Sequence, residues 1–138
     1  MNMPITASEL IKQNLSLLER GKARPVQLNS GFKDLDQAYG ALPATGLTLI
    51  GARPGMGKTS WFLSAAQNIA QTGQGVVAIF SMEMSAEELG FRFLSAASKV
   101  DSKRLKIGRI ADREWPRLVA AANVLSKAKI VIDDSGDL

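Results

Sequence analysis

Apolar residues recur along this chain with two periods, and the alternation between them sets out the fold. Leu10, Ile11, Leu15 and Leu18 stand at helical spacing behind Thr6-Ala7-Ser8-Glu9. That quartet fits a capping box, in which the Thr6 hydroxyl takes the Glu9 N–H and Glu9 reaches back. Gly21 suits a left-handed C-terminal cap, and Lys22 to Ser30, with Pro25, reads as a connector. A stripe on a helix set apart in this way has to dock, either on its own core or on a neighbouring subunit. Gly31 to Asp36 reads as a short helical turn ending near Gly40. Leu47-Thr48-Leu49-Ile50 is a β-rich run with the signature of a buried strand. Lys58 to Gln71 is helical, with Trp61, Phe62, Ala65, Ala66, Ile69 and Ala70 on one face and Gly73 as the stop. Val76 to Phe80 is a continuous apolar strand, the pattern of a strand buried on both faces.

Ser85-Ala86-Glu87-Glu88 is a second capping box. It opens a helix to about Lys99, with Leu89, Phe93 and Leu94 inward. Asp101 caps a short helix that stops at Gly108. A longer helix follows from about Asp112 to Lys127, its stripe being Trp115, Leu118, Val119, Ala122 and Leu125, with Pro116 tolerated in its first turn. Ile130-Val131-Ile132 is the third strand, ending at Asp133-Asp134. Strands alternating with helices predict an α/β fold: a parallel sheet flanked by helices, joined by right-handed crossovers and preceded by a linker helix.

Composition narrows the chemistry. At 138 residues the chain is about one domain on a scale of roughly 150 residues each. Its 46% hydrophobic and 22% charged residues are ordinary globular usage. There is no cysteine and no histidine, which excludes disulfides, thiolate and imidazole metal sites, and Ser-His or Cys-His nucleophiles. Carboxylates, lysines, arginines, hydroxyls and backbone remain. A formal charge of +4 permits a phosphate or nucleic-acid partner without demanding one. The Met1 to Thr6 segment lacks a signal-peptide pattern, and no apolar run approaches a membrane span, so a cytoplasmic protein without a membrane partner is the expectation.

Ala52-Arg53-Pro54-Gly55-Met56-Gly57-Lys58-Thr59 follows a strand and opens a helix, the context a phosphate-binding loop requires. Gly55 and Gly57 allow the backbone N–H groups to face inward, and the helix adds its positive end. Lys58 supplies a point charge for β- and γ-phosphates, and the Thr59 hydroxyl can hold Mg²⁺. The consensus opens with glycine; Ala52 stands there, with Gly51 one residue earlier. Glu83, in Phe80-Ser81-Met82-Glu83-Met84-Ser85, lies past a strand end, where open parallel sheets bind ligands. It fits a carboxylate that polarises the water attacking a γ-phosphate, and equally a solvated loop acid or a partner for the next helix dipole. Asp133 ends an apolar strand in the manner of a Walker B metal-shell residue, a pattern that many parallel strands share. Lys99, Lys103, Arg104, Lys106, Arg109 and Arg113 form a basic stretch that reads better as a solvated face than as a nucleic-acid contact.

Four blocks, Ser30 to Asp36, Ala52 to Thr59, Phe80 to Ser85 and Ile130 to Gly136, resemble in order and spacing the RecA-like motor domain of DnaB-type replicative DNA helicases. Ala in the first loop position is that family's usage. The resemblance runs from about residue 6 to 138 and implies a partial RecA-like P-loop fold. Residues 1–29 would be the linker helix and connector, and residues 30–138 the N-terminal portion of the ATPase domain, truncated before Walker B. It implies that Ala52, Arg53, Pro54, Gly55, Met56, Gly57, Lys58, Thr59 and Ser60 hold ATP, with Thr59 on Mg²⁺. Lys58 and Glu83 would be the catalytic side chains. Asp133 becomes a weak metal candidate, because the family's Walker B strand lies further along. The complete family unwinds duplex DNA 5′–3′ with ATP. Residues 6–20 would pack on adjacent helicase subunits, and self-association is expected. Without a Walker B, DNA loops or an arginine finger, hydrolysis by this chain alone would be slower by several orders of magnitude, and unwinding by it is not expected. The competing readings are another RecA-like ATPase, such as a recombinase relative, and a non-catalytic module that docks on helicase subunits.

Overall fold

The computed structural model describes residues 4–19 and 27–136. The expected Gly21 cap and most of the Lys22–Ser30 connector lie outside the described residues. Helix α1 (Ala7–Glu19) opens with the full capping box: the Glu9 N–H donates to Thr6 Oγ1 at 3.3 Å, and Thr6 N–H and Oγ1 donate to Glu9 Oε2 at 3.2 and 2.8 Å. These bonds hold the Glu9 carboxyl below its ordinary value. α1 buries none of its residues, and Leu10, Ile11, Leu15 and Leu18 are all exposed.

Strand β1 (Gln27–Leu28) pairs antiparallel with β2 (Leu42–Pro43), and α2 (Lys33–Tyr39) lies between them in sequence. Asp36 turns back to accept the Ser30 hydroxyl at 2.6 Å and the Ser30 and Gly31 N–H groups at 3.1 Å each. Asn68 and Gln74 side chains bond the Asn29 backbone, and Phe32 stacks on Trp61 at 5.4 Å, so this entry segment is tied to the next helix.

Helix α3 (Lys58–Gln71), strand β3 (Val77–Phe80), helix α4 (Ala86–Ser98) and strand β4 (Ile130–Asp133) form the body. β3 and β4 are parallel, with Val77 opposite Ile130 and Phe80 opposite Asp133. Leu63, Ala66, Ile79, Leu89 and Phe93 make the main core, closed by Val77, Met84, Leu125, Ile130 and Ile132. Residues 77, 79, 130 and 132 therefore share the covered face of the sheet. Helix α5 (Ser102–Lys106), capped by Asp101 at 3.1 Å, and helix α6 (Trp115–Leu125) enclose a second cluster of Val100, Leu105 and Leu118.

Three sequence expectations are corrected. Leu47–Ile50 is not a buried strand: it joins no ladder, and Leu47 and Leu49 are more than four-fifths exposed. Its apolar pattern states a preference for burial, but a strand also needs a neighbour for its N–H and C=O groups, and among the described residues none lies beside it. Nor is Val76–Phe80 buried on both faces. Phe80 is exposed, as is its β4 neighbour Val131, because helices cover one side of the pair only. In α6 the inward positions are Leu118, Ala121 and Leu125, while Trp115 and Val119 face out.

The rotation of α6 has a visible cause. Its approach is a 3₁₀ turn (Asp112–Glu114), and Glu114 is drawn inside. Both carboxylate oxygens take the Arg104 guanidinium fork, Nη1 donating at 2.8 Å, and Oε2 also accepts the Ala111 N–H at 2.9 Å. With Glu114 inward, the helical period continues the buried row at 118, 121 and 125.

The Arg104 hydrogen bonds, then the Ala111 N–H and the Arg117 charge, hold the Glu114 carboxyl below its usual range; Lys106, then Arg92, do the same for Glu88. A carboxyl depressed in the folded state contributes stability above its unfolded value, and that contribution fades as pH falls through the folded value. Thermal melts followed by circular dichroism are therefore expected to show a falling midpoint between about pH 5 and 3. Glu114→Gln should lower the midpoint at neutral pH and flatten this acid slope. An unchanged slope would show that the pair does not couple to folding.

Candidate functional site

Residues 51–57 lead into α3 as an irregular loop. The Met56 N–H donates to the Arg53 carbonyl at 3.2 Å, and Gly55 and Gly57 both take left-handed backbone, φ +78° and +86°. An L side chain is disfavoured there by about 1–2 kcal/mol, which explains both glycines. Gly57 is the N-cap of α3, so no side chain satisfies the first N–H groups, and no acid stands in the first turn. The helix thus opens on Lys58, Thr59 and Ser60 with unpaired donors and the positive end of its dipole, a site suited to an anion.

Beside this turn is a cavity of about 550 Å³. It is lined by Ala52 to Gly55, Gly57 to Ser60, Glu83 and Arg92. Nine of the ten sequence-predicted residues of loop and acid, Met56 being the exception, are thereby gathered around one space. Met56 is largely exposed and borders a neighbouring cavity instead. Glu83 sits in the loop between β3 and α4, exposed and with no hydrogen-bond or ionic partner among the described residues.

Asp133 is not brought to this cavity. Its Oδ1 accepts the Ser135 N–H at 3.0 Å and hydroxyl at 2.7 Å, bonds that keep its carboxyl below the ordinary range. No group of three His, Cys, Asp or Glu fit for a metal occurs among the described residues. In the basic stretch, Arg104 and Lys106 are spent on Glu114 and Glu88, the latter at 2.7 Å, so two of its six cations serve the fold.

Arg92 is the cavity residue that sequence reasoning missed. It projects from α4, its Nη2 3.5 Å from Glu88 and its Nε buried without a partner. The available signal was a lone charge inside the apolar run Leu89 to Leu94. Such a charge within a core-facing helix has to reach an opening.

The helices and the parallel strand pair share the fold of RecA-like helicase ATPase domains. The ATPase domain of G40P superposes with a TM-score of 0.82 at 27% identity, covering 97% of this chain and 48% of that one. A DnaB-like replicative helicase, solved in a study of its interactions with primase, superposes at 0.77 and 28%, over 98% of this chain and 32% of that one. The chain belongs to the DnaB-like helicase C terminal domain family, whose profile matches residues 27–138. Among curated relatives, replicative DNA helicase DnaB of Buchnera aphidicola subsp. Baizongia pistaciae is 36% identical over 140 residues, and that of Geobacillus stearothermophilus is 35% identical over 122. Those matches cover 98% and 88% of this chain but 30% and 27% of the relatives' lengths. No described helix is long and apolar enough to cross a membrane.

Proposed function

We propose that this chain is the nucleotide-binding part of a replicative DNA helicase motor, with the turn Ala52–Ser60 as the cradle for the triphosphate of ATP. The observation that carries the reading is an uncapped helix N-terminus that presents Lys58 to the same cavity as Glu83. Backbone N–H groups of the loop and of α3 bind phosphate oxygens, and Lys58 neutralises charge on the β- and γ-phosphates. The Thr59 hydroxyl fits one position in the shell of Mg²⁺, an ion that keeps water and phosphate oxygens as its other ligands and withdraws charge from the phosphates when bound. Glu83, lining the same cavity, orients and deprotonates the attacking water. Arg92, which also lines it, balances the phosphate charge. Asp133, committed to Ser135, stays outside the metal shell.

ATP-driven unwinding of DNA belongs to the complete motor, of which this chain spans a part. Residues 6–20 are the surface for adjacent helicase subunits: α1 opens with a complete capping box yet buries nothing, and its exposed leucines are a stripe in need of a groove. The same stripe supports the second reading, a module that docks on helicase subunits without turning over nucleotide.

A fluorescent ATP analogue titrated with Mg²⁺ decides between them. Saturable binding is expected, displaced by ATP and ADP but not by adenosine, because the triphosphate contacts carry the affinity. Binding displaced equally by adenosine, or no binding at all, would overturn the cradle.

A further inference from the structure

Two adjacent residues at the end of β4 hold both ends of the loop that carries Glu83. At the entry, the Ser81 N–H donates to the Asp133 carbonyl at 2.9 Å, extending the β3–β4 ladder by one bond. At the exit, the Asp134 carboxylate accepts the N–H of Ala86, the first residue of α4, at 2.6 Å across 48 residues of sequence. Between these anchors the loop is closed on itself. The Ser81 hydroxyl donates to the Met84 carbonyl at 2.7 Å and accepts the Met84 N–H at 3.2 Å. The Ser85 hydroxyl caps α4 by accepting the Glu88 N–H at 3.2 Å. Glu83 itself touches nothing polar among the described residues, so its place on the cavity wall is set through the backbone alone.

We infer that Asp134 is a positioning residue for the ATPase site, fixing the Met82–Ser85 loop, and with it Glu83, from the end of the neighbouring strand. The bond fills a donor at the α4 N-terminus that the Ser85 hydroxyl leaves free. It places a negative charge at the positive end of that helix. It also bonds the first residue of the helix that carries Arg92, six residues on. The turn that aims Asp134 is in turn fixed by Ser135, which donates twice to Asp133. This accounts for the Asp133-Asp134-Ser135 run, which the nucleotide reading alone leaves unused. The inference rests on that reading, because it gives Glu83 a task to be positioned for.

The experiment measures two quantities on the full chain: affinity for the fluorescent ATP analogue, and phosphate release at excess protein, for wild type, Asp134→Ala, Asp134→Asn, Glu83→Gln and the double variant Glu83→Gln/Asp134→Ala. Asp134→Ala is expected to keep nucleotide affinity within about threefold while slowing release about 10–100-fold, the scale of a misplaced reacting group. Asp134→Asn, which retains an acceptor oxygen, should recover most of the rate. The double variant should release phosphate no more slowly than Glu83→Gln alone, since both changes remove one function. A merely structural aspartate would lower binding and release together, and its effect would add to that of Glu83→Gln; either result overturns the inference. Wild-type chain that binds nucleotide but releases no phosphate above buffer overturns it as well. Wild-type chain that binds no nucleotide overturns instead the reading beneath it.

Discussion

Lys58→Ala is expected to weaken binding of the Mg²⁺–ATP analogue by about 10–100-fold, the worth of a charge-assisted contact to phosphate, while leaving the fold as stable as before or slightly more so. The two halves of this result come from one geometry. Lys58 is the first residue of α3, where the helix dipole is positive and where a cation costs roughly 0.3–1 kcal/mol rather than contributing it. Gly57 supplies no cap, and no acid in the first turn offsets the charge. For the isolated fold, then, this helix start is poorly made. It becomes favourable once an anion enters the cavity beside it. Removing the lysine relieves the unfavourable charge and forfeits the anion. Melting curves and titrations on the same preparation check both parts. Wild-type affinity in the variant would remove Lys58 from the phosphate site, and a large fall in melting temperature would mean that the side chain serves the fold.

The elements that were legible in the sequence are those whose ends carry local chemistry. α3 begins and ends where Gly57 and the Gly73 stop require. α4 starts at the residue after Ser85, whose hydroxyl takes the Glu88 N–H, and α5 starts after Asp101. β4 was marked by three β-branched residues. The turn into α3 was legible because glycine spacing and a following helix are short-range facts. What failed depends on partners distant in sequence. Periodicity points to a stripe of Trp115, Leu118, Val119, Ala122 and Leu125 on α6, whereas the Arg104–Glu114 pair, ten residues apart, selects a row turned by about one position. Leu47–Ile50 has the composition of a strand, but pairing belongs to two segments, and one segment cannot report it. In Ser85-Ala86-Glu87-Glu88 only half of the box forms, because the Glu88 carboxylate goes to Lys106 and Arg92. Arg92 and Asp134 were passed over for the same reason: their importance lies in what stands opposite them, a cavity in one case and a helix N-terminus 48 residues away in the other.

Glu83→Gln should separate catalysis from binding as Lys58→Ala cannot. The expected outcome is analogue affinity within about threefold of wild type and phosphate release slowed by about 10²–10⁴-fold, the usual contribution of a positioned general base. The side chain is exposed and has no hydrogen-bond or ionic partner among the described residues, so an amide of the same shape costs the fold little. It lines the cavity from outside the Ala52–Ser60 turn, so the proposed phosphate contacts of that turn do not require it. What the amide lacks is a site basic enough to take a proton from water. A carboxylate acting only as a partner for the α4 dipole would behave otherwise: its loss would lower melting temperature and leave release untouched. Release at the wild-type rate in Glu83→Gln would therefore exclude Glu83 from the chemistry while leaving the phosphate cradle intact. Release abolished together with binding would mean that the acid supports the loop rather than the water.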